Sequence, residues 1–445
     1  MFLRREVTIV FLLLLSTTLS NAFLFPILLK KRAIIVTKKK LCIKKIQQQK
    51  SGATAALTIG GAASGFTLLQ QRQQSILNDR YNIYQPEEGS LLGQTIVITG
   101  GSSGLGLESS KRLAVAGANI IVTARSDNKG SAAIQQIRAY LEKKNKATIP
   151  EQQRLDYKVL NMDDLQSMNQ SFTDNKWDDV PIVDVLLNNA GVMAIPQRET
   201  TVDGYERQIQ SNHLGHFLLT SLLSDKLSKR ARIINVSSSA NQFAFTGLKF
   251  NYLWKAESGY GPWRSYGQSK LANIYFTTEL QRRIDAIPTL EWSAATLHPG
   301  VVPTNLGRYS GNNDDLEAIP STVLDNDSDK ENTIQTFLGS LANTINQDFK
   351  SIEQGASTQV WLASGAEFQD IGGKFYDRCK QQQLRPFALN KEDGKRLWNE
   401  SEDLLGRKFD LPSLGTSKDN EIVDMVLDEE DSSNNRTSTT TEDGI

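Results

Sequence analysis

From about Leu91 onward, short aliphatic and β-branched runs alternate with longer stretches whose apolar residues recur at helical spacing. The runs Thr95–Ile98, Asn119–Thr123, Val183–Leu187, Arg232–Val236 and Trp292–Leu297 predict strands. Between them, Leu107–Ala116, Ser131–Lys144, Asp164–Thr173, Gly204–Leu227 and Arg264–Ile287 predict helices. Gln354–Ala363 and Gly373–Tyr376 add one further helix and one further strand. Apolar strands separated by helices imply a parallel sheet covered on both faces. The expected fold is therefore α/β, a doubly wound parallel sheet in a single catalytic domain spanning about residues 90–410.

The ends of the chain follow a different pattern. Arg4 and Arg5 precede the apolar run Val7–Leu15 and the small, polar stretch Ser16–Ala22, the layout of a signal peptide. No acidic residue occurs between Glu6 and Asp79, and lysines crowd positions 30–50, the composition of a transit peptide. The junction Asn21-Ala22-Phe23 resembles the Ala–Phe cleavage motif of bipartite plastid presequences. Residues 1–80 thus predict a plastid-targeting presequence. A second reading stays open: Val7–Leu29 is uncharged and about long enough to span a bilayer, as a signal anchor of the endoplasmic reticulum would. Ser51–Gln71 is uncharged and rich in Gly and Ala, either a weak membrane anchor or the end of the presequence. Asn312–Asn332 is polar and predicts a surface insertion, and 415–445 is acidic, Ser/Thr-rich and predicts a disordered tail.

Composition narrows the chemistry. The 445 residues carry no net charge, which argues against nucleic acid as a partner. Cys42 and Cys379 cannot build a disulfide framework, and His213, His216 and His298 show no metal-binding spacing, so no metal site is expected.

Candidate chemistry begins at Thr99-Gly100-Gly101-Ser102-Ser103-Gly104-Leu105-Gly106, between the first strand and the first helix. Glycines there permit a tight turn and let backbone N–H groups approach a pyrophosphate, and the helix N-terminus favours an anion. The spacing is TGxxxGxG. Further on stand Asn188-Asn189-Ala190-Gly191 after the fourth strand, Asn212 on a long helix, and Ser237-Ser238-Ser239 at a strand end. Tyr266 and Lys270, at i and i+4, share one helix face. His298-Pro299-Gly300-Val301-Val302-Pro303-Thr304 closes the series.

In this order the motifs resemble those of the short-chain dehydrogenase/reductase family, over roughly Leu91–Lys408. The resemblance implies a Rossmann-type sheet and a nicotinamide cofactor. It assigns cofactor contacts to Gly100, Ser102, Ser103, Gly104, Leu105, Gly106, Asn189, Ala190, Gly191, Pro299, Gly300, Val302 and Thr304. It implies a catalytic set of Asn212, Ser238, Tyr266 and Lys270, with Ser238 holding the substrate oxygen and Lys270 also reaching the cofactor ribose. A phenol ordinarily ionises near ~10, and the Lys270 ammonium is expected to lower that value so that Tyr266 serves as acid/base.

The second strand ends Thr123-Ala124-Arg125, with no carboxylate for a ribose 2′-hydroxyl. Arg125 suits a 2′-phosphate, so NADP(H) is the expected cofactor; otherwise Arg125 is an ordinary solvated side chain. Asn161-Met162 stands where the family shows an Asp for the adenine.

YGQSKLANI at Tyr266–Ile274, NHLGHFL at Asn212–Leu218, Gly373–Tyr376 and Arg396–Trp398 look like the retinol dehydrogenase-like branch, which includes plastid-envelope, import-associated relatives. That resemblance implies a small lipophilic alcohol or carbonyl as substrate and possible membrane association, and leaves the oligomeric state open. Phe243, Phe245, Phe250, Tyr252, Trp254, Tyr260 and Trp263 either line an apolar pocket or pack a long loop. Two further functions remain: a light-dependent protochlorophyllide reductase, and an NADP(H)-sensing subunit of a plastid membrane translocon.

Overall fold

The computed structural model describes residues 83–144, 153–302, 304 and 350–412. The predicted presequence, surface insertion and acidic tail lie outside them. The chain divides after Ile76, and all described residues belong to the second unit.

Strands and helices alternate as the pattern predicts. They run β1 (Thr95–Ile98), α1 (Gly104–Val115), β2 (Asn119–Ala124), α2 (Asp127–Lys143), β3 (Leu155–Val159), α3 (Leu165–Thr173) and β4 (Val183–Asn188). Then follow α4 (Gly215–Leu222), β5 (Leu227–Val236), α5 (Pro262–Asp285), β6 (Ser293–Leu297), α6 (Ile352–Ser364), β7 (Phe375–Asp377), β8 (Lys380–Gln382) and α7 (Lys391–Leu405). The sheet order is β3-β2-β1-β4-β5-β6-β7-β8; β8 alone is antiparallel to its neighbour. This is the doubly wound sheet expected.

Strand side chains go to opposite faces in turn. Ile96, Ile98, Ile120, Val122, Val185, Leu187 and Ile234 join a core beneath α1, α2 and α6. Val97, Ile121, Leu186 and Ile233 join a second core with Phe217, Phe276 and Leu280 from α4 and α5. Both faces are buried, so the central strands read as continuous apolar runs.

Three departures have local causes. β3 is an edge strand with only Leu155 fully buried, so its residues carry too little apolar signal to mark it out. The helix predicted over Gly204–Leu227 is broken into a single turn, Arg207–Ile209, a π turn, Gln210–Leu214, and α4. Its last predicted residue, Leu227, opens β5 instead. α7 lies beyond the predicted elements: the Asn390 side chain caps its start, Gly406 ends it at φ +57°, and its Trp398 packs against Phe217, Phe276 and Phe409. Among the described residues no helix is long and apolar enough to cross a membrane.

All parallel strands end on one side, so the turns after β1, β2, β4, β5 and β6 face one crevice, where ligands sit in such sheets.

Candidate active site

The Gly-rich turn is built for close approach. Gly100 and Gly104 adopt φ of +62° and +53°, which side chains resist. A Cβ at Gly106 would lie 2.5 Å from the Gly100 carbonyl and 2.6 Å from Asn189 Nδ2, and one at Gly101 would lie 2.5 Å from Val122. Gly101, absent from the predicted contacts, is thus needed for packing. Ser103 precedes α1 as its N-cap yet makes no side-chain capping bond, and the first turn carries no acidic residue. Unused donors, a helix N-terminus and no competing carboxylate fit a pyrophosphate. Thr304 lies across this turn, within 3.4 Å of where a Gly104 side chain would begin.

The turn after β4 is tied to the first. Thr99 Oγ1 accepts the N–H groups of Asn189 and Ala190 at 2.8 and 2.9 Å. It also meets His216 Nε2 at 2.9 Å, while His216 Nδ1 meets the Asn212 carbonyl at 2.9 Å. A carbonyl only accepts, so Nδ1 carries the proton and Thr99 donates to Nε2. Burial pushes His213 down to about 3 and His216 down to about 4, so both rings stay neutral. The connecting role of His216 has no signal in its spacing.

Arg125 is exposed at the end of β2 and has no hydrogen-bond or ion-pair partner among the described residues. Asn161 Oδ1 accepts the Asp163 N–H at 3.2 Å, and Met162 is buried beneath Gly215.

Tyr266, Lys270, Ser238 and Asn212 come together. Tyr266 and Lys270 are each 3% exposed, on the first half of α5. The Ser238 hydroxyl accepts the Ala240 N–H at 3.1 Å and stands near enough to Tyr266 to weigh on its phenol. Lys270 Nζ donates to the Val236 carbonyl at 2.9 Å, and Ser237 Oγ donates to the Lys270 carbonyl at 2.7 Å. Asn212 stands in the π turn rather than in a regular helix; its side chain exchanges bonds of 2.8 and 3.0 Å with the Val192 backbone and donates to Ser269 at 2.9 Å. A Cβ at Gly191 would lie 2.9 Å from Asn212 Oδ1 and 3.6 Å from Lys270 Nζ, so only glycine leaves that corner clear. Asn273 Nδ2 reaches the same Val236 carbonyl at 3.2 Å. Its i+3 spacing from Lys270 could have revealed it.

The electrostatics differ from the expectation in one respect. Burial pushes the Tyr266 phenol up to about 12, and the Ser238 hydroxyl opposes that rise. Burial pushes Lys270 down to about 7, and its Nζ lies 5.8 Å from the Tyr266 ring centre. In this structure desolvation, not the Lys270 charge, dominates the phenol. A neutral phenol is the form that donates a proton.

The aromatic segment splits in two. Phe250, Tyr252 and Trp254 are buried and pack the loop. Trp263 meets Tyr266 edge-on at 6.2 Å, and Phe243 lies 5.8 Å from Trp263, both half-buried beside the site.

A glycine cradle and a Ser–Tyr–Lys group at the carboxyl ends of a doubly wound sheet define a nucleotide-dependent oxidoreductase class. Residues 94–251 match the family model for the short chain dehydrogenase. The chain is 36% identical to human retinol dehydrogenase 13, over 74% of this chain and 89% of that protein. It is 31% identical to short-chain dehydrogenase TIC 32 A, chloroplastic, of Brassica napus, over 68% and 86%. An uncharacterized protein from Mycobacterium paratuberculosis of known crystal structure shares 30% identity and a TM-score of 0.51, covering 74% of this chain and 100% of that one. The chain belongs to the short-chain dehydrogenase/reductase family of oxidoreductases, with retinol dehydrogenase-like relatives.

Proposed function

We propose that the protein interconverts an alcohol and a carbonyl on a small lipophilic substrate, using NADP(H). The observation that carries this reading is the Ser238–Tyr266–Lys270 group beside Gly191, in the turn that Thr99 ties to the glycine cradle. In the reducing direction Ser238 and Tyr266 hold the carbonyl oxygen, and the neutral Tyr266 hydroxyl gives it a proton. Held by the Gly100–Gly106 turn and the Pro299–Val302 loop, a nicotinamide cofactor would supply or accept the hydride. Lys270 restores the proton on Tyr266 through its neighbours, and Asn212 fixes the backbone beside Lys270. In the oxidising direction Tyr266 must first lose its proton. A bound, positively charged oxidised nicotinamide and a protonated Lys270 favour that loss.

NADP(H) over NAD(H) is supported by Arg125, which stands unpaired among the described residues where a 2′-phosphate would lie. A lipophilic substrate is supported by Trp263 and Phe243 beside Tyr266 and by the names of the retinol dehydrogenase relatives. A plastid location is supported by the presequence composition and by the chloroplastic Brassica relative.

The test is turnover of retinal-like, steroid-like and quinone carbonyls with NADPH and with NADH. The expected result is reduction of at least one, with NADPH preferred. Tight NADPH binding without turnover of any of them would favour a cofactor-sensing role instead.

A further inference from the structure

Behind the Pro299-Gly300 turn lies a charge pair that no motif in the sequence singles out. Lys350 is 8% and Asp377 9% exposed, and Lys350 Nζ stands 2.7 Å from Asp377 Oδ1. Burying two charges costs desolvation that their attraction repays only in good geometry, so such a pair is weak as a source of stability. Its surroundings show what it holds.

Asp377 closes β7 and Lys350 precedes α6. The Lys350 backbone N–H donates to the Val301 carbonyl at 3.0 Å. Its side chain lies on Gly300: a Cβ there would come within 2.8–2.9 Å of Cδ, Cε and Nζ. Gly300 itself stands at φ +85°. The second carboxylate oxygen of Asp377 faces His298 Nε2 and Arg378 Nε, each at 3.7 Å. The His298 ring stacks on Phe375 at 5.6 Å, and its Nδ1 accepts the Gly300 N–H at 3.2 Å. An amide can only donate, so Nδ1 is bare and Nε2 carries the proton that faces the carboxylate. One carboxylate therefore controls Gly300 twice, through the lysine lying on it and through the histidine that takes its N–H.

We infer that Asp377 and Lys350 are positioning residues that hold the Pro299–Val302 loop in the shape that receives the nicotinamide end of the cofactor. This rests on the NADP(H) reading of the site. Loss of the Asp377 charge removes the carboxylate that Lys350 meets at 2.7 Å and that His298 Nε2 faces at 3.7 Å, and both grips on Gly300 loosen.

Two probes separate this role from general stability. NADPH fills the whole groove, whereas adenosine 2′,5′-bisphosphate reaches only the Arg125 end. Both are titrated calorimetrically into the full-length protein and into its Asp377→Asn, Lys350→Met and doubly substituted forms. In the single variants the NADPH dissociation constant is expected to rise about tenfold or more, the arithmetic of losing a modest part of the binding free energy. The bisphosphate constant should stay within about twofold of the parent. Turnover, read separately, should fall by about a hundredfold through misplacement of the nicotinamide. The double variant removes both members of the 2.7 Å pair together and serves as the folded comparison if Asp377→Asn alone does not fold. It should still bind NADPH weakly, because His298 has lost its carboxylate. Unchanged NADPH affinity in Lys350→Met, parallel weakening of both ligands, or full recovery in the double variant would overturn the inference. A parent protein that binds neither probe would overturn the cofactor reading on which it stands.

Discussion

In the proposed mechanism the site's chemistry rests on one hydroxyl, that of Tyr266. Tyr266→Phe keeps the ring against Trp263 and removes the proton donor. NADPH binding should persist while turnover falls by about 10²–10⁴-fold, the usual range for a lost general acid. Lys270→Ala should impair turnover too, and the two effects should not add, as a double-mutant cycle on kcat would record. Arg125→Ala should weaken NADPH by about 1.5–3 kcal/mol, the worth of a charge-assisted bond, and leave NADH unchanged in the same titration. Glu206 offers a test of pH dependence. Burial raises its carboxyl from 4.5 to about 7, and one oxygen has no partner among the described residues. A raised value in the fold means that its contribution is fullest below pH 4.5 and is lost as pH rises through about 7. Gln at this position can still accept the Ile209 N–H that Glu206 accepts at 3.0 Å, and it never ionises. Urea unfolding should find Glu206→Gln more stable than the parent at pH 8, with the difference vanishing near pH 4.5; a difference independent of pH would contradict this account.

Among the elements, the break in the predicted helix over 204–227 has the greatest consequence. A sequence period reports which face is apolar, but Gln210–Leu214 is buried throughout and carries no face to read. The π turn places Asn212 against the Val192 backbone, and the His216 ring returns a bond to the Asn212 carbonyl. α7 was legible only as a short family-like stretch around Trp398. Its packing is long-range: Trp398 is 1% exposed and stacks on Phe409 at 5.0 Å, against Phe217 of α4 and Phe276 of α5. Trp398→Ala should destabilise the protein by about 3–5 kcal/mol, as large-to-small core changes do, read as a lowered urea midpoint.

For the whole molecule, the domain boundary is set by packing ahead of the first strand. The Tyr84 N–H donates to Ser357 at 3.1 Å, and the Tyr84 ring joins the core under α6. A chain starting at Leu77 should fold and bind NADPH, whereas one starting at Ser90 should melt lower, because it loses that ring. A fluorescent fusion of residues 1–78 should reach the plastid; retention in the endoplasmic reticulum would favour the signal-anchor reading instead. The amino-acid order by itself determined the alternation of strands and helices and the glycine turn, because turn chemistry and side-chain period act over a few residues and leave their mark in the order of the chain. Asn212, Ser238, Tyr266 and Lys270 were singled out through resemblance to the short-chain dehydrogenase/reductase family. Tertiary structure alone decided the rest. Edge position makes β3 faint, burial sets Tyr266 and Lys270 against ionisation, and contacts across 27 to 79 residues bring Lys350, Asp377 and His298 onto Gly300. Desolvation and the meeting of distant strand ends depend on the closed sheet, and no short window of sequence carries them.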